Sequence, residues 1–78
     1  MSASVAVIAA NVPRATMLAT TLGVSCAVFS ASDVGDVIRG CAFDVIIIDS
    51  EAAIDDDTMA DIRPALRSGG SLLNAVTS

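Results

Sequence analysis

The sequence predicts an α/β fold: a single (βα)₃β unit over residues 1–78, with four parallel strands in the order 2-1-3-4 and helices on both faces. Three observations predict it. Short β-branched runs alternate with stretches of helical period along the whole chain. The run Phe43-Asp44-Val45-Ile46-Ile47-Ile48-Asp49 sets four β-branched residues in succession. A strand apolar on both faces belongs inside a parallel sheet. The intervals between strands are also long enough for the right-handed crossover helices that parallel pairing demands.

Each element has its own local reason. Val5 to Ala9 reads as the first strand. Asn11-Val12-Pro13 opens a helix, because Asn is a favoured N-cap and Pro is tolerated in a first turn, where its missing N–H costs nothing. Ala15, Leu18, Ala19 and Leu22 recur at helical spacing, and Gly23 supplies the stop. Ser25 to Phe29 is a second, weaker strand. Ser32 or Asp33 caps the next helix, with Val34, Val37, Ile38 and Cys41 on one apolar face, and Gly40 ends it. On that face Cys41 is expected to be a small core residue.

The Phe43–Asp49 run is the third strand, and it is the most apolar. Asp55-Asp56-Asp57-Thr58 then precedes Met59, Ile62 and Leu66 at helical spacing. Acids in a first turn suit the helix dipole. Pro64 should kink that helix or divide it into two short pieces. Ser68-Gly69-Gly70 terminates it, and Ser71 to Val76 is the fourth strand. Arg14, Arg39, Arg63 and Arg67 fall on predicted helices and read as exposed, with Arg63 and Arg67 an i, i+4 pair. In this order the second and fourth strands are edges. Leu72, Leu73 and Val76 on the fourth offer a dimer contact.

Composition narrows the function. At 78 residues and 54% hydrophobic, with two Phe and no Trp or Tyr, the core is thin and calls for support from self-association or a neighbouring domain. Cys26 and Cys41 lack C-x-x-C spacing and the chain has no His, which argues against zinc. A net charge of −5 argues against nucleic acid and anionic membrane as partners. The longest apolar run is too short to span a bilayer, and no basic n-region or apolar h-region marks a secretory signal. A cytoplasmic protein with reduced thiols is expected. Without His or Lys there is no general base suited to neutral pH other than a perturbed carboxylate. Neither G-x-x-x-x-G-K nor G-x-G-x-x-G occurs, so nothing supports nucleotide binding.

An apolar first strand, then Asn11-x-x-Arg14-x-x-x-Leu18-x-x-x-Leu22-Gly23, and later Phe43–Asp49, resemble the receiver domain of two-component response regulators, including the degenerate receivers of sensor kinases. The resemblance runs from about Val5 to Ser78. It implies a flavodoxin/Rossmann-like fold, and at Asp49 the aspartate that accepts phosphate from a histidine kinase. It matches Asp56 to the acidic position of the family's M-P-x-x-D-G segment and Thr77 to its switch hydroxyl.

The departures lie in the chemistry. Where receivers hold Mg²⁺ with an acidic pair, this chain has Ala9-Ala10-Asn11, and a hard cation needs carboxylate oxygens. The receiver lysine has no counterpart, Ala52-Ala53 replaces Met-Pro, and Asp57 replaces the glycine. Phosphoryl transfer relies on metal and cationic clamps. The expected function is therefore a non-catalytic, receiver-like regulatory or protein–protein interaction module that self-associates, with no cofactor or metal. Asn11, Asp49, Asp56 and Thr77 are its candidate binding residues. A phosphoacceptor using Asp49 is the alternative.

Phe43–Asp49 followed by Leu66-Arg67-Ser68-Gly69-Gly70-Ser71-Leu72 also resembles the fourth strand and L-x-x-G-G turn of class I S-adenosylmethionine-dependent methyltransferases, and Asn74-Ala75-Val76-Thr77 is similar to their corrinoid-pathway members. On that correspondence Val5–Asn11 is the second strand, the Gly-rich cofactor loop is missing, and Ala10 stands where an acid holds the ribose. It implies a fragment without a cofactor cradle. Plainer readings stand beside these: Asp49 as a solvated strand end, Asp55-Asp56-Asp57 as a solvated helix start, and Thr77 as part of a frayed terminus.

Overall fold

The β-branched run forms β3 (Phe43–Asp49), which pairs in parallel with β1 (Val5–Ala9) on one side and β4 (Leu66–Ala75) on the other. β2 (Ala27–Ser30) adds to the far side of β1, also in parallel. The computed structural model describes residues 4–23, 26–49, 52 and 54–75. Its four-stranded sheet has the expected order, β2-β1-β3-β4.

Alternation along the strands builds two apolar layers. Ala6 and Ile8 of β1 and Ile46 and Ile48 of β3 point to one face, where Val34, Ile38, Ile62 and Ala65 meet them. That face is covered by α2 (Val34–Val37) and α3 (Asp56–Ile62). Phe29 and Phe43 close it with an edge-to-face contact, ring centres 5.9 Å apart. Val7, Ala9 and Ile47 point to the other face, against Ala15, Leu18 and Ala19 of α1 (Val12–Leu22). Ile8, Ile38, Ile46 and Ile62 have no exposed surface. Each such side chain is stabilised by about 1.5–3 kcal/mol on burial, so the larger layer carries most of the fold.

α1 begins and ends where the sequence places it. The Asn11 side chain accepts a hydrogen bond from the Arg14 backbone N–H at 2.9 Å. Gly23 adopts φ 71° and donates to the carbonyls of Ala19 and Thr20, the left-handed stop that glycine makes without strain. Pro64 likewise divides the third helix: α3 ends at Ile62 and a 3₁₀ turn covers Arg63–Ala65.

Three expectations need correction. β2 is described over Ala27–Ser30, one residue beyond the expected Phe29, while the expected start at Ser25 lies outside the described residues. α2 is one turn only. Asp33 precedes it but makes no capping bond, because its carboxylate accepts from the Ser30 hydroxyl at 3.3 Å. Gly35 within it adds backbone entropy. The helical period therefore breaks after Ile38, and Val37 and Cys41 are exposed, so Cys41 is not a core residue.

The third correction concerns β4, which starts at Leu66, within what reads as helix. Leu66 pairs with Phe43 and Ser71 with Val45, so four residues of β4 bulge out between these partners. Arg67 lies in that bulge and meets Asp44 at 3.6 Å, with no helical i, i+4 pairing to Arg63. The Gly-Gly signal marks this bulge instead of a helix stop. Gly69 has φ 83°, and a Cβ on Gly70 would lie 2.6 Å from the Asp44 carbonyl oxygen. Gly70→Ala should destabilise the protein by about 1–3 kcal/mol through this backbone clash, read as a lower midpoint in urea unfolding. An unchanged midpoint would mean that the bulge does not need its glycine.

Candidate functional site

β1 leads to β2 on one side and the chain returns to β3 on the other, so the order of strand addition reverses between β1 and β3 while all strands stay parallel. In open α/β sheets the crevice beyond the carboxyl ends of such strands is where ligands sit. Asp49 is the last residue of β3 and shares the face of Ile47, under the start of α1. Its side chain has no exposed surface. Oδ2 accepts from Arg14 Nε at 3.2 Å, and Oδ1 is buried without a hydrogen-bond partner.

Arg14 is the third residue of α1. Its backbone N–H is held by Asn11 and its guanidinium by Asp49, so the three residues form one chain of contacts. The ion pair compensates each charge in part, and Asp49 Oδ1 keeps no partner among the described residues. A buried carboxylate costs several kcal/mol unless an opposite charge and hydrogen bonds compensate it. A cation in the first turn of a helix faces the positive end of the dipole. The guanidinium, 29% exposed, keeps part of its hydration while it neutralises Asp49. The carboxylate that ends β3 is thus paired with a cation of the same chain.

Of the expected site residues, Asn11 and Asp49 are thus brought together through Arg14. Asp49 is buried, so the reading of a solvated strand end is corrected. Arg14 was expected on an exposed helix face and is the residue that sequence reasoning missed. A signal was there: it is the one charged residue of α1 and stands at the end where the dipole opposes it.

Asp56 sits apart. It is exposed in the first turn of α3 and lines a shallow hollow of about 450 Å³ with Met59, Ala60, Arg63 and Pro64. Asp55 caps α3, accepting from the Thr58 backbone N–H at 2.8 Å. Among the described residues no group of three or more His, Cys, Asp or Glu side chains is placed to hold a metal ion. Asp49 and Asp56 therefore do not belong to one such cluster, and the acidic run acts as a helix start. Thr77 lies outside the described residues. At the neighbouring end of β2, the nearly buried Ser30 hydroxyl bridges Ser32 at 3.0 Å and Asp33 at 3.3 Å, tying down the turn into α2.

Among the described residues no helix is long and apolar enough to cross a membrane. No family model, curated protein or solved structure matches this chain. What stands is an α/β parallel-sheet domain whose switch-point carboxylate is neutralised from within.

Arg14→Leu should destabilise the fold by about 2 kcal/mol, less than for a fully buried pair because the guanidinium is partly in water. In an Asp49→Asn background the same change should cost at least about 1 kcal/mol less, since no buried charge is then orphaned. Additive effects in this double-mutant cycle would show that the pair is not coupled.

The Asp55 carboxyl lies below its ordinary range, held there by hydrogen bonds from the Thr58 side chain and then from the Thr58 backbone N–H. A lowered folded-state pKa means that this cap stabilises fully above the unfolded value of about 3.9, and that its share is lost as pH falls through the folded value. Asp55→Asn should therefore flatten the acid limb of a melting-temperature profile below about pH 4. An unchanged limb would remove Asp55 from the account.

Proposed function

We propose that this chain is a non-catalytic, receiver-like regulatory or protein–protein interaction module that associates with itself and works in the cytoplasm. The observation that carries this reading is the Asn11–Arg14–Asp49 chain of contacts. A phosphoacceptor carboxylate must present an oxygen for in-line attack and hold a cation that neutralises the incoming phosphoryl group. Asp49 offers neither, since it has no exposed surface and its charge is already matched by Arg14. β1 ends at Ala9, Ala10 and Asn11 follow it without an acid, and Asn11 spends its side-chain oxygen on the cap of α1.

The same geometry suits a scaffold role. An internal ion pair ties the start of α1 to the end of β3 and holds the switch point in one arrangement without a ligand. A partner surface on such a domain is then preformed. The net charge of −5 favours protein partners over nucleic acid or anionic lipid.

Beryllofluoride with Mg²⁺, a phosphoryl mimic, tests this reading by amide NMR. The expected result is no shift at Asp49 or along residues 10–14. Saturable shifts clustered at Asp49 would overturn it in favour of a working phosphoacceptor.

A further inference from the structure

The outer edge of β2 has no strand beside it among the described residues. Ala9 of β1 pairs with Ser30, and its carbonyl accepts from the Ala31 N–H at 2.7 Å. In a parallel ladder successive residues turn their backbone groups to opposite sides. Ala27, Phe29 and Ala31 therefore face β1, while Val28 and Ser30 face outward. The Ser30 carbonyl is taken by the Asp33 N–H at 3.2 Å. That leaves the Val28 N–H and C=O and the Ser30 N–H directed to the open edge.

A hollow of about 280 Å³ follows the same edge, from Val12 of α1 past Val28, Phe29 and Ser30 to Asp33 and Val37. Val12 and Val37, at its two ends, are 47% and 51% exposed. Val28 packs with the α1 layer and Phe29 with the α2 and α3 layer, so the hollow wraps the edge from face to face. Asp33 is its acid. One carboxylate oxygen accepts from the Ser30 hydroxyl at 3.3 Å. Among the described residues no cation pairs with Asp33. Arg14, Arg39 and Arg67 are matched by Asp49, Asp61 and Asp44, and Arg63 lines the separate hollow on α3 with Asp56.

We propose that an extended segment of a partner protein, with a lysine or arginine among aliphatic residues, adds to the β2 edge and sets its base at Asp33. The inference rests on the interaction-module reading above and names the partner's chemistry. Outward backbone groups select a strand, apolar walls select aliphatic side chains, and the unpaired carboxylate selects a cation. A second copy of this chain is the poorer occupant. It has no Lys, three of its four Arg are already paired, and its net charge of −5 repels another copy. β2 spans only four residues, so its backbone makes few hydrogen bonds and the side chains must supply the rest of the affinity.

Amide NMR on the full chain tests the proposal with a short capped peptide of alternating valine and lysine. Saturable shifts are expected at Val28, Ser30, Asp33 and Val37, with a dissociation constant below about 1 mM. A peptide of alternating valine and glutamate should give none. The basic peptide N-methylated along its backbone, which keeps its charge and loses its strand donors, should bind about threefold weaker or worse. Asp33→Asn should also weaken binding about threefold or more. Val37→Lys, at an exposed position that carries the test should Asp33→Asn fail to fold, should do the same. Asp57→Asn, on α3, should leave binding unchanged. No saturable shifts at this edge, equal binding of the N-methylated peptide, or equal losses in Asp33→Asn and Asp57→Asn would each overturn the site. Its failure is distinct from failure of the non-catalytic reading, which the phosphoryl mimic reports at Asp49.

Discussion

β3 is hydrogen-bonded on both edges and must be apolar on both faces, and the other elements take their places from that requirement. Val45, Ile46, Ile47 and Ile48 are all β-branched, so their side chains are stiff and fit a pleated surface better than a helix. Ile46 and Ile48 go to one layer with Ala6 and Ile8, and Ile47 goes to the other with Val7 and Ala9. Such a strand cannot be an edge. It forces β1 and β4 to its two sides and leaves β2, the shortest strand, at the periphery.

Burial of the run carries its last residue inward as well. Asp49 follows Ile48 without a break and lies under α1, with its carboxylate removed from water. The end of β3 therefore needs an internal cation, and the first turn of α1 supplies Arg14. At the end of β3 the ion pair joins two elements of the chain, α1 and β3. The same contact that ties α1 to β3 keeps the Asp49 carboxylate out of water.

The two faces of the sheet differ in both cover and charge. The α2 and α3 side is closed over a layer of isoleucines and presents its aspartates outward. The α1 side packs Val7, Ala9, Val28 and Ile47 under Ala15, Leu18 and Ala19, and α1 carries no acid. A thin domain of this length gains little stability from a single core.

Much of this was legible in the chain itself. Asn11 and Gly23 mark the ends of α1, Pro64 divides the third helix, and the Val5–Ala9 and Phe43–Asp49 strands fall within their expected bounds. These are decisions among residues a few positions apart, made by caps, a missing N–H and side-chain branching. Strand order followed as well, because an all-apolar strand demands neighbours on both sides. Tertiary structure alone decided that Gly69 and Gly70 form a bulge inside β4 and that Arg14 turns inward to Asp49. Each depends on a partner brought close by folding. Local pattern reports what a segment prefers, while the burial of Asp49 and the path of β4 past Asp44 depend on which distant atoms arrive beside it.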